Sequence, residues 1–346
     1  MKTKKIIPIC ILIILLFTSV YFFQNKTTMQ SKTYYYLGTV NEITIFDKNK
    51  SASKKLLNNC DSILKDIDNK MSTHIPGSDV FNINKNAGSK FIKVSNDTFS
   101  VIKTAIKYSK ISKNNFDITI GPLVNLWSIG TDNAKVPSKF EIEDKLNLVD
   151  FNKITLDDKN SSVKLNLSNM KIDLGGIAKG YAADKICSYL LKNDVHSALI
   201  NLGGNVYALG NKLDNTDFTV GIQNPTIPNG NSIGNIKVSN KSVVTSGIYE
   251  RYIEKDGHIY HHMLSPFTGY PFKNELSSVT IISNKSMICD ALSTSVFGLG
   301  LKEGSKLIES LNNVEAIFIT KDKNVHVTSG LKNKFNLTNN NFNLIN

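Results

Sequence analysis

Eighteen residues without a charge, Ile6 to Phe23 (IIPICILIILLFTSVYFF), follow Lys2, Lys4 and Lys5. A run of that length just spans the hydrocarbon core of a bilayer. The lysines hold the N-terminal side in the cytoplasm, so the remainder of the chain faces outward. A cleaved signal peptide is the competing reading. It needs small residues at the cleavage point, and VYFFQNK offers no suitable one. Lipid attachment is not supported either, because Cys10 lies inside the run, after Pro8 and Ile9. The expectation is an uncleaved signal-anchor over residues 1–25, a polar tether over 26–33 (within QNKTTMQSKT) and a folded body over 34–340. Such a chain sits in the cell membrane on a single N-terminal anchor, with its body extracytoplasmic.

The body is long enough for a real core: the chain has 346 residues, 41% of them hydrophobic. Lys and Arg total 41 against 29 Asp and Glu, a formal charge of +12, of which about +9 lies outside the leader. A basic surface suits nucleic acid, an anionic membrane or a phosphorylated ligand. No Lys/Arg block and no nucleic-acid motif is present, so no nucleic-acid partner is expected. Cys60, Cys187 and Cys289 are widely spaced and odd in number, which argues against a disulfide framework. The six histidines never fall into ligand spacing with them, which argues against zinc.

Periodicity alternates between two and 3.6 along the body. Tyr34 to Phe46 reads as one strand. Residues 51–71 read as a helix with apolar positions at Leu56, Leu57, Cys60, Ile63, Leu64, Ile67 and Met71. MSTHIPGSDVFNINKNAG reads as a loop. Ser95 to Lys110 reads as a second amphipathic helix capped by Ser95 or Asn96. A loop carrying FDITIGPLVNLW and a short helix between Glu141 and Val149 follow. The second half brings strands at 162–167, SALINLGGNVYALG and FTVGIQNP. It adds a hairpin with Asp256-Gly257 at its turn and the strands SSVTIIS and VEAIFIT. Helices are expected at about 177–191, at CDALST and over 303–312. The pattern is α+β rather than a βαβ series.

Four stretches carry candidate chemistry. KIDLGGIAKGYAAD (171–184) ends a strand in Gly175-Gly176 and opens a helix, a geometry that offers backbone amides to a phosphate. Lys179 suits the same ligand, and Asp173 could accept hydrogen bonds from a ribose or heterocycle. A plain tight turn with two permissive glycines explains the stretch equally. CDALSTSVFGLG (289–300) is a nearly apolar helix with Asp290 and Thr294 one turn apart. Asp290 is either the helix cap, with Thr294 bonding back to the preceding turn, or one of two oxygen ligands for a hard cation. HHMLSPFTGYP (261–271) holds His261, His262 and Thr268 around a turn, and INLGGNVYALG holds a second Gly-Gly pair.

Taken in order, MSTHIPGSDVFNIN, FDITIGPLVNLW, IDLGGIAKGYAAD, INLGGNVYALG, SGIYERY, HHMLSPFTGYP and CDALSTSVFGLG resemble the ApbE family of FAD:protein FMN transferases, formerly called thiamine-biosynthesis lipoproteins. The resemblance runs from about Leu37 to Thr328. It implies one compact α+β domain with a T-fold-like core that binds FAD in an extended cleft and uses magnesium. The family moves the FMN half of FAD onto a Ser or Thr hydroxyl of a target protein, releasing AMP. By the same resemblance, Mg2+ is held by Asp290, Thr294 and the Gly176 carbonyl. FAD contacts fall to Met71, Asn115, Phe116, Asp117, Asp173, Lys179, the Leu264 backbone and Ser293. His262 matches the histidine of the family's H-x-x-D-P-x-T-G block and is expected to act as base or proton shuttle. The implied partners are FAD and FMN-acceptor proteins of membrane or extracellular redox chains.

The sequence departs from the family pattern at Ser265, which replaces the usual Asp before Pro266, and in lacking a lipobox. Two alternatives remain open at this point. One is a flavin-binding surface protein without transferase activity. The other is an FAD pyrophosphatase that gives FMN and AMP with water as acceptor.

Overall fold

Leu37 and Gly38 adopt positive φ (56° and 65°), and the chain reverses there. The computed structural model describes residues 28–47, 49–227 and 230–345. The anchor expected over 1–25 lies outside the described residues, among which no helix is long and apolar enough to cross a membrane. Strand β1 (Thr28–Tyr36) pairs antiparallel with β2 (Thr39–Asp47), from Thr28↔Asp47 to Tyr36↔Thr39. This corrects two expectations. Most of the segment read as a tether over 26–33 is strand, and the single strand expected over 34–46 is broken at Leu37-Gly38 into the end of β1 and most of β2. The first half of β1 is polar on both faces, as an edge strand can be, so hydrophobic alternation gave no sign of it.

In chain order there follow α1 (Lys50–Met71), α2 (Asp79–Lys85), β3 (Ile92–Lys93), α3 (Asn96–Ile111), α4 (Gly121–Trp127), α5 (Lys139–Leu146), β4 (Ile154–Asp157) and β5 (Ser162–Leu165). Next come α6 (Ala178–Lys192), β6 (Ser197–Leu202), β7 (Asn205–Gly210), β8 (Phe218–Gln223), β9 (Ser232–Val238) and β10 (Lys241–Gly247). The chain closes with β11 (Tyr252–Lys255), β12 (His258–His261), β13 (Leu276–Ser283), α7 (Ser286–Glu309), β14 (Val314–Thr320), β15 (Asn324–Val327), β16 (Phe335–Leu337) and β17 (Asn343–Ile345). The loop expected at MSTHIPGSDVFNIN contains α2, which Ser78 caps by accepting from the Phe81 amide. The body also runs past 340, since β17 pairs in parallel with β15.

A nine-stranded sheet, β1-β2-β6-β7-β10-β13-β14-β15-β17, organises the molecule. Helices α1, α6 and α7 cover one face and bury Ile43, Ile45, Ile200, Val279 and Ile281 with Leu57, Ile186 and Leu292. The small sheet β16-β9-β8 covers part of the other face, packing Ile222, Ile233 and Ile236 on Ile282, Ile317 and Ile319. Strand β13 is consequently buried at every position, its serines and threonine included. On α1 the stripe Leu57, Cys60, Leu64, Ile67 and Met71 is buried at helical spacing. Each such side chain contributes about 1.5–3 kcal/mol of burial. Cys60, Cys187 and Cys289 are unpaired and buried.

One crossing fixes the functional region. A Cβ at Gly180 in α6 would lie 2.3 Å from the Ser286 carbonyl oxygen at the start of α7. The two helices approach so closely that only glycine fits between them. Helix α7 (Ser286–Glu309) is interrupted by the non-helical backbone of Gly300 (φ 77°, ψ 177°), so it consists of two helical segments meeting at a kink, in keeping with the two helices expected at CDALST and over 303–312.

Candidate active site

The site starts at the turn into α6. The Asp173 Oδ1 accepts from the Gly175 amide at 2.7 Å, which shapes an Asx-type turn. Helix α6 has no cap from its own side chains. Its third amide, that of Gly180, is instead satisfied by Oδ2 of Asp290 on α7, at 2.9 Å. The reading of Asp290 as the cap of its own helix is therefore overturned. Helix α7 starts four residues earlier, and its first amides, Ser286 and Met287, donate to Asp184 of α6 at 2.9 and 3.1 Å. The two helices cap one another.

This mutual capping leaves Oδ1 of Asp290 facing the turn, with Lys179 Nζ 3.4 Å away and also 3.0 Å from the Gly175 carbonyl. The Asp290 side chain is only 5% exposed. One turn on, Ser293 and Ser295 bond back to the carbonyls of Asp290 and Ala291. Thr294 faces the Gly176 turn: its Oγ1 lies 3.6 Å from where a Gly176 Cβ would stand, and the Phe116 ring lies 3.1 Å from the same point. The structure thus brings together Gly176, Asp290, Thr294, Lys179 and Phe116. The donor set around the turn is one carboxylate, one hydroxyl and backbone carbonyls, all oxygen and suited to a hard cation. Among the described residues no group of three or more His, Cys, Asp or Glu side chains forms a metal site. The fit here is to an oxygen-loving cation that keeps open positions, not to a thiolate or imidazole metal.

The opposite wall comes from the end of β10 and the β11–β12 hairpin. Ser293, fully buried, meets Ser246 of β10 hydroxyl to hydroxyl at 2.8 Å. Beyond β10 come Glu250 and Arg251. Arg251 ties this segment to the β1–β2 turn by donating to the Gly38 carbonyl at 3.0 Å. The hairpin turns at Asp256-Gly257, both at positive φ, as expected from sequence. It delivers His262 beside Arg251, with Nδ1 3.2 Å from the Arg251 carbonyl and Nε2 4.0 Å from Oε2 of Glu250.

Both side chains keep about a third of their surface (32% for His262, 39% for Glu250), yet protein crowds them on the remaining sides. Desolvation there disfavours charge of either sign. It lowers His262 to about 4, helped by the nearby His261, Arg251 and Lys179 and opposed by the hydrogen bond to Arg251. Desolvation raises Glu250 to about 7, with Asp290 adding to the rise and Lys179 and Arg251 opposing it.

Two of the expected contacts, Met71 and Asp117, have side chains turned away from the cleft. Met71 ends the buried stripe of α1 and lies in the core; Thr73, two residues on, reaches the cleft instead. Asp117 spends both carboxylate oxygens on Thr119 and the Phe151 amide, so it builds a turn rather than facing a ligand. Its acidity is weakened by burial despite those bonds. Leu264 buries its side chain against Leu123, Trp127 and Ile142 and bridges Pro271 through its backbone. Asn115 donates to the Ser112 carbonyl at 2.9 Å and flanks Gly298. Asp173 does reach the cleft, on the rim of a cavity of about 170 Å³ lined also by Thr73, Phe81, Asn84, Asn125 and Lys171.

The Ser265 departure is accounted for. Its hydroxyl accepts from the Phe267 amide at 3.2 Å, and its carbonyl accepts from Gly269 at 2.8 Å. A serine makes the same kind of turn as an aspartate, more weakly. Glu250, Arg251 and Asp184 carried no role in the sequence reading. SGIYERY drew notice only as a block, and nothing in the spacing of Asp184 shows that it caps a helix 102 residues away.

Residues 37–318 match the ApbE family. The chain is 39% identical over 273 residues to the FAD:protein FMN transferase of Klebsiella pneumoniae (strain 342), covering 79% of this chain and 84% of that protein. It is 33% identical over 309 residues to the FAD:protein FMN transferase of Treponema pallidum (strain Nichols), covering 85% of each. The crystal structure of the ApbE protein from Thermotoga maritima superposes with a TM-score of 0.81 at 32% identity, over 89% of this chain and 99% of that one.

Proposed function

The chain belongs to the ApbE family and is an FAD:protein FMN transferase, and we propose that it works at the turn where Gly176, Asp290 and Thr294 converge. That convergence is the observation that carries the reading. The diphosphate of FAD lies along the Gly175-Gly176 turn, where the start of α6 and Lys179 supply positive potential. One end of the dinucleotide extends over Asp173 into the adjoining cavity. Phe116 packs against the turn from below. Asp290, Thr294 and the Gly176 carbonyl would hold Mg2+. When bound, the ion neutralises charge on the diphosphate and on the departing AMP.

The transfer is a displacement at the flavin-side phosphorus. The Ser or Thr hydroxyl of the acceptor attacks, the bond to AMP breaks, and AMP leaves. His262 is placed to receive the hydroxyl proton. Its Nδ1 faces a carbonyl, which can only accept, so the neutral ring carries its proton there and presents a basic Nε2 to the cleft. Burial keeps that ring neutral at pH 7. The turn at Ser265 persists without the carboxylate, which removes the one observation behind a binding-only protein.

The leader supports an anchored enzyme with its catalytic body outside the cytoplasm and with acceptors among FMN-carrying proteins of membrane or extracellular redox chains. The test is incubation of the purified chain with FAD, Mg2+ and an FMN-acceptor domain. A gain of one FMN on the acceptor, read by mass and lost when Mg2+ is chelated, is expected. FMN and AMP formed without any acceptor adduct contradict the reading in favour of a pyrophosphatase.

A further inference from the structure

Glu250 has no part in the mechanism above, yet it is the acidic side chain that faces the histidine. We propose that Glu250 is the proton partner of His262: it takes over the proton that Nε2 receives from the reacting hydroxyl. The inference rests on the transferase reading.

Geometry carries it. The carbonyl of Arg251 fixes the proton of the neutral imidazole on Nδ1, so Nε2 is the free base. The gap from Nε2 to Oε2 of Glu250 is 4.0 Å, too wide for a direct hydrogen bond. A hydroxyl oxygen about 2.8 Å from each fits between them. A hydroxyl seated there points its single proton at one base or the other. The segment bearing Glu250 is held rigidly, since Arg251 is bound to Gly38 on one side and to the His262 amide on the other.

The acceptor O–H bond breaks and its oxygen bonds to the flavin-side phosphorus. The phosphorus–oxygen bond to AMP breaks, with the electron pair leaving on AMP. The proton passes to Nε2 and on to the Glu250 carboxylate.

The charged and titratable groups facing this pair are Lys179 from α6, Asp290 from α7, His261 from β12, and the adjacent Arg251 and Tyr249. Their combined effect, dominated by burial, leaves the carboxyl the stronger proton acceptor of the two: it sits near 7 while the imidazole sits near 4. A base so weakened cannot keep the proton, and a neighbour that can is what the wall provides.

The experiment compares Glu250→Gln, Glu250→Asp, His262→Gln and the Glu250→Gln/His262→Gln pair, with FAD affinity measured by flavin fluorescence alongside transfer rates from pH 5 to 9. The parent should lose activity as pH falls through about 7. Glu250→Gln should keep FAD affinity, lower kcat about 10²-fold, and move the acid limb down by at least about one pH unit. Glu250→Asp should recover part of both. The double variant should be no slower than His262→Gln alone. Parent-like rate and pH profile in Glu250→Gln, or additive losses in the double variant, overturn the proposal. Loss of FAD binding in both Glu250 variants also overturns it, by making Glu250 a coenzyme ligand. A parent that forms no protein–FMN adduct at all defeats the transferase reading itself, and the inference with it.

Discussion

Asp184 and Asp290 each cap the helix on which the other stands: Asp184 of α6 takes the Ser286 and Met287 amides of α7, and Asp290 of α7 takes the Gly180 amide of α6. Only one oxygen of Asp290 is spent this way. The other lies 3.4 Å from Lys179 Nζ, which also donates to the Gly175 carbonyl of the turn. A carboxylate locked by a backbone donor is a better-oriented ligand than a free one.

Replacement of that oxygen should therefore be severe. Asp290→Asn keeps the volume and removes the charge. Thr294→Val keeps the shape and removes the hydroxyl. Each is expected to slow FMN transfer by about 10²-fold or more, since even partners behind metal ligands cost 10–100-fold. Raising Mg2+ should recover part of the loss in Thr294→Val and less in Asp290→Asn. Transfer rates measured against Mg2+ concentration decide it; rates within a few-fold of the parent contradict the assignment.

The close crossing of α6 and α7 gives a second expectation. In Gly180→Ala the added methyl lands on the Ser286 carbonyl, with backbone on both sides and no flexible side chain to yield. Overpacking of this kind costs about 1–3 kcal/mol. Urea denaturation should show that loss. Transfer should fall further than stability predicts, because the displaced helices carry Gly176 and Thr294 apart. A variant equal to the parent in both readouts sinks this account of the crossing.

Ser265 tests the turn at the foot of the hairpin. Ser265→Ala removes the acceptor for the Phe267 amide and should cost about 1 kcal/mol. Ser265→Asp supplies a stronger acceptor for the same amide and should match or exceed the parent. Thermal midpoints of the three proteins check the order.

The pair at the opposite wall sets a pH dependence of stability. Glu250 rises from 4.5 to about 7 in the fold, so its contribution is fully present below pH 4.5 and is lost as pH rises through 7. His262 falls from 6.5 to about 4, so its contribution is present above pH 6.5 and is lost as pH falls through 4. His261, buried and lowered likewise, acts in the same sense as His262. Between pH 4.5 and 6.5 the carboxyl and the imidazoles oppose one another. Glu250→Gln removes the opposing contribution, so its stability relative to the parent should increase steadily from pH 4.5 to 7. A difference that stays constant across that range contradicts the raised carboxyl.

Much of the fold was open to reading because one face of most elements is buried. The stripe of α1, the Asp256-Gly257 turn and the entry from Gly175-Gly176 into α6 all stand where periodicity and turn chemistry put them. Elements without a buried face escaped: the polar half of β1, and α2, whose seven residues bury only Val80 and Ile83. The site was legible where one short stretch carries its pattern, as with Asp290 and Thr294 a turn apart. It was illegible where function depends on who faces whom. Nothing local to Asp117 shows that its carboxylate turns inward to Phe151, and nothing local to Glu250 shows that a histidine twelve positions on comes to stand opposite.

The three buried thiols of the folded body have a practical meaning for handling the enzyme. A thiol reacts as its thiolate. Burial pushes Cys60 up to about 12 and raises Cys187 and Cys289 as well. Among the described residues, then, no thiol is exposed to form a stray disulfide. The folded body should therefore resist thiol-directed reagents and work alike with or without an added thiol reductant.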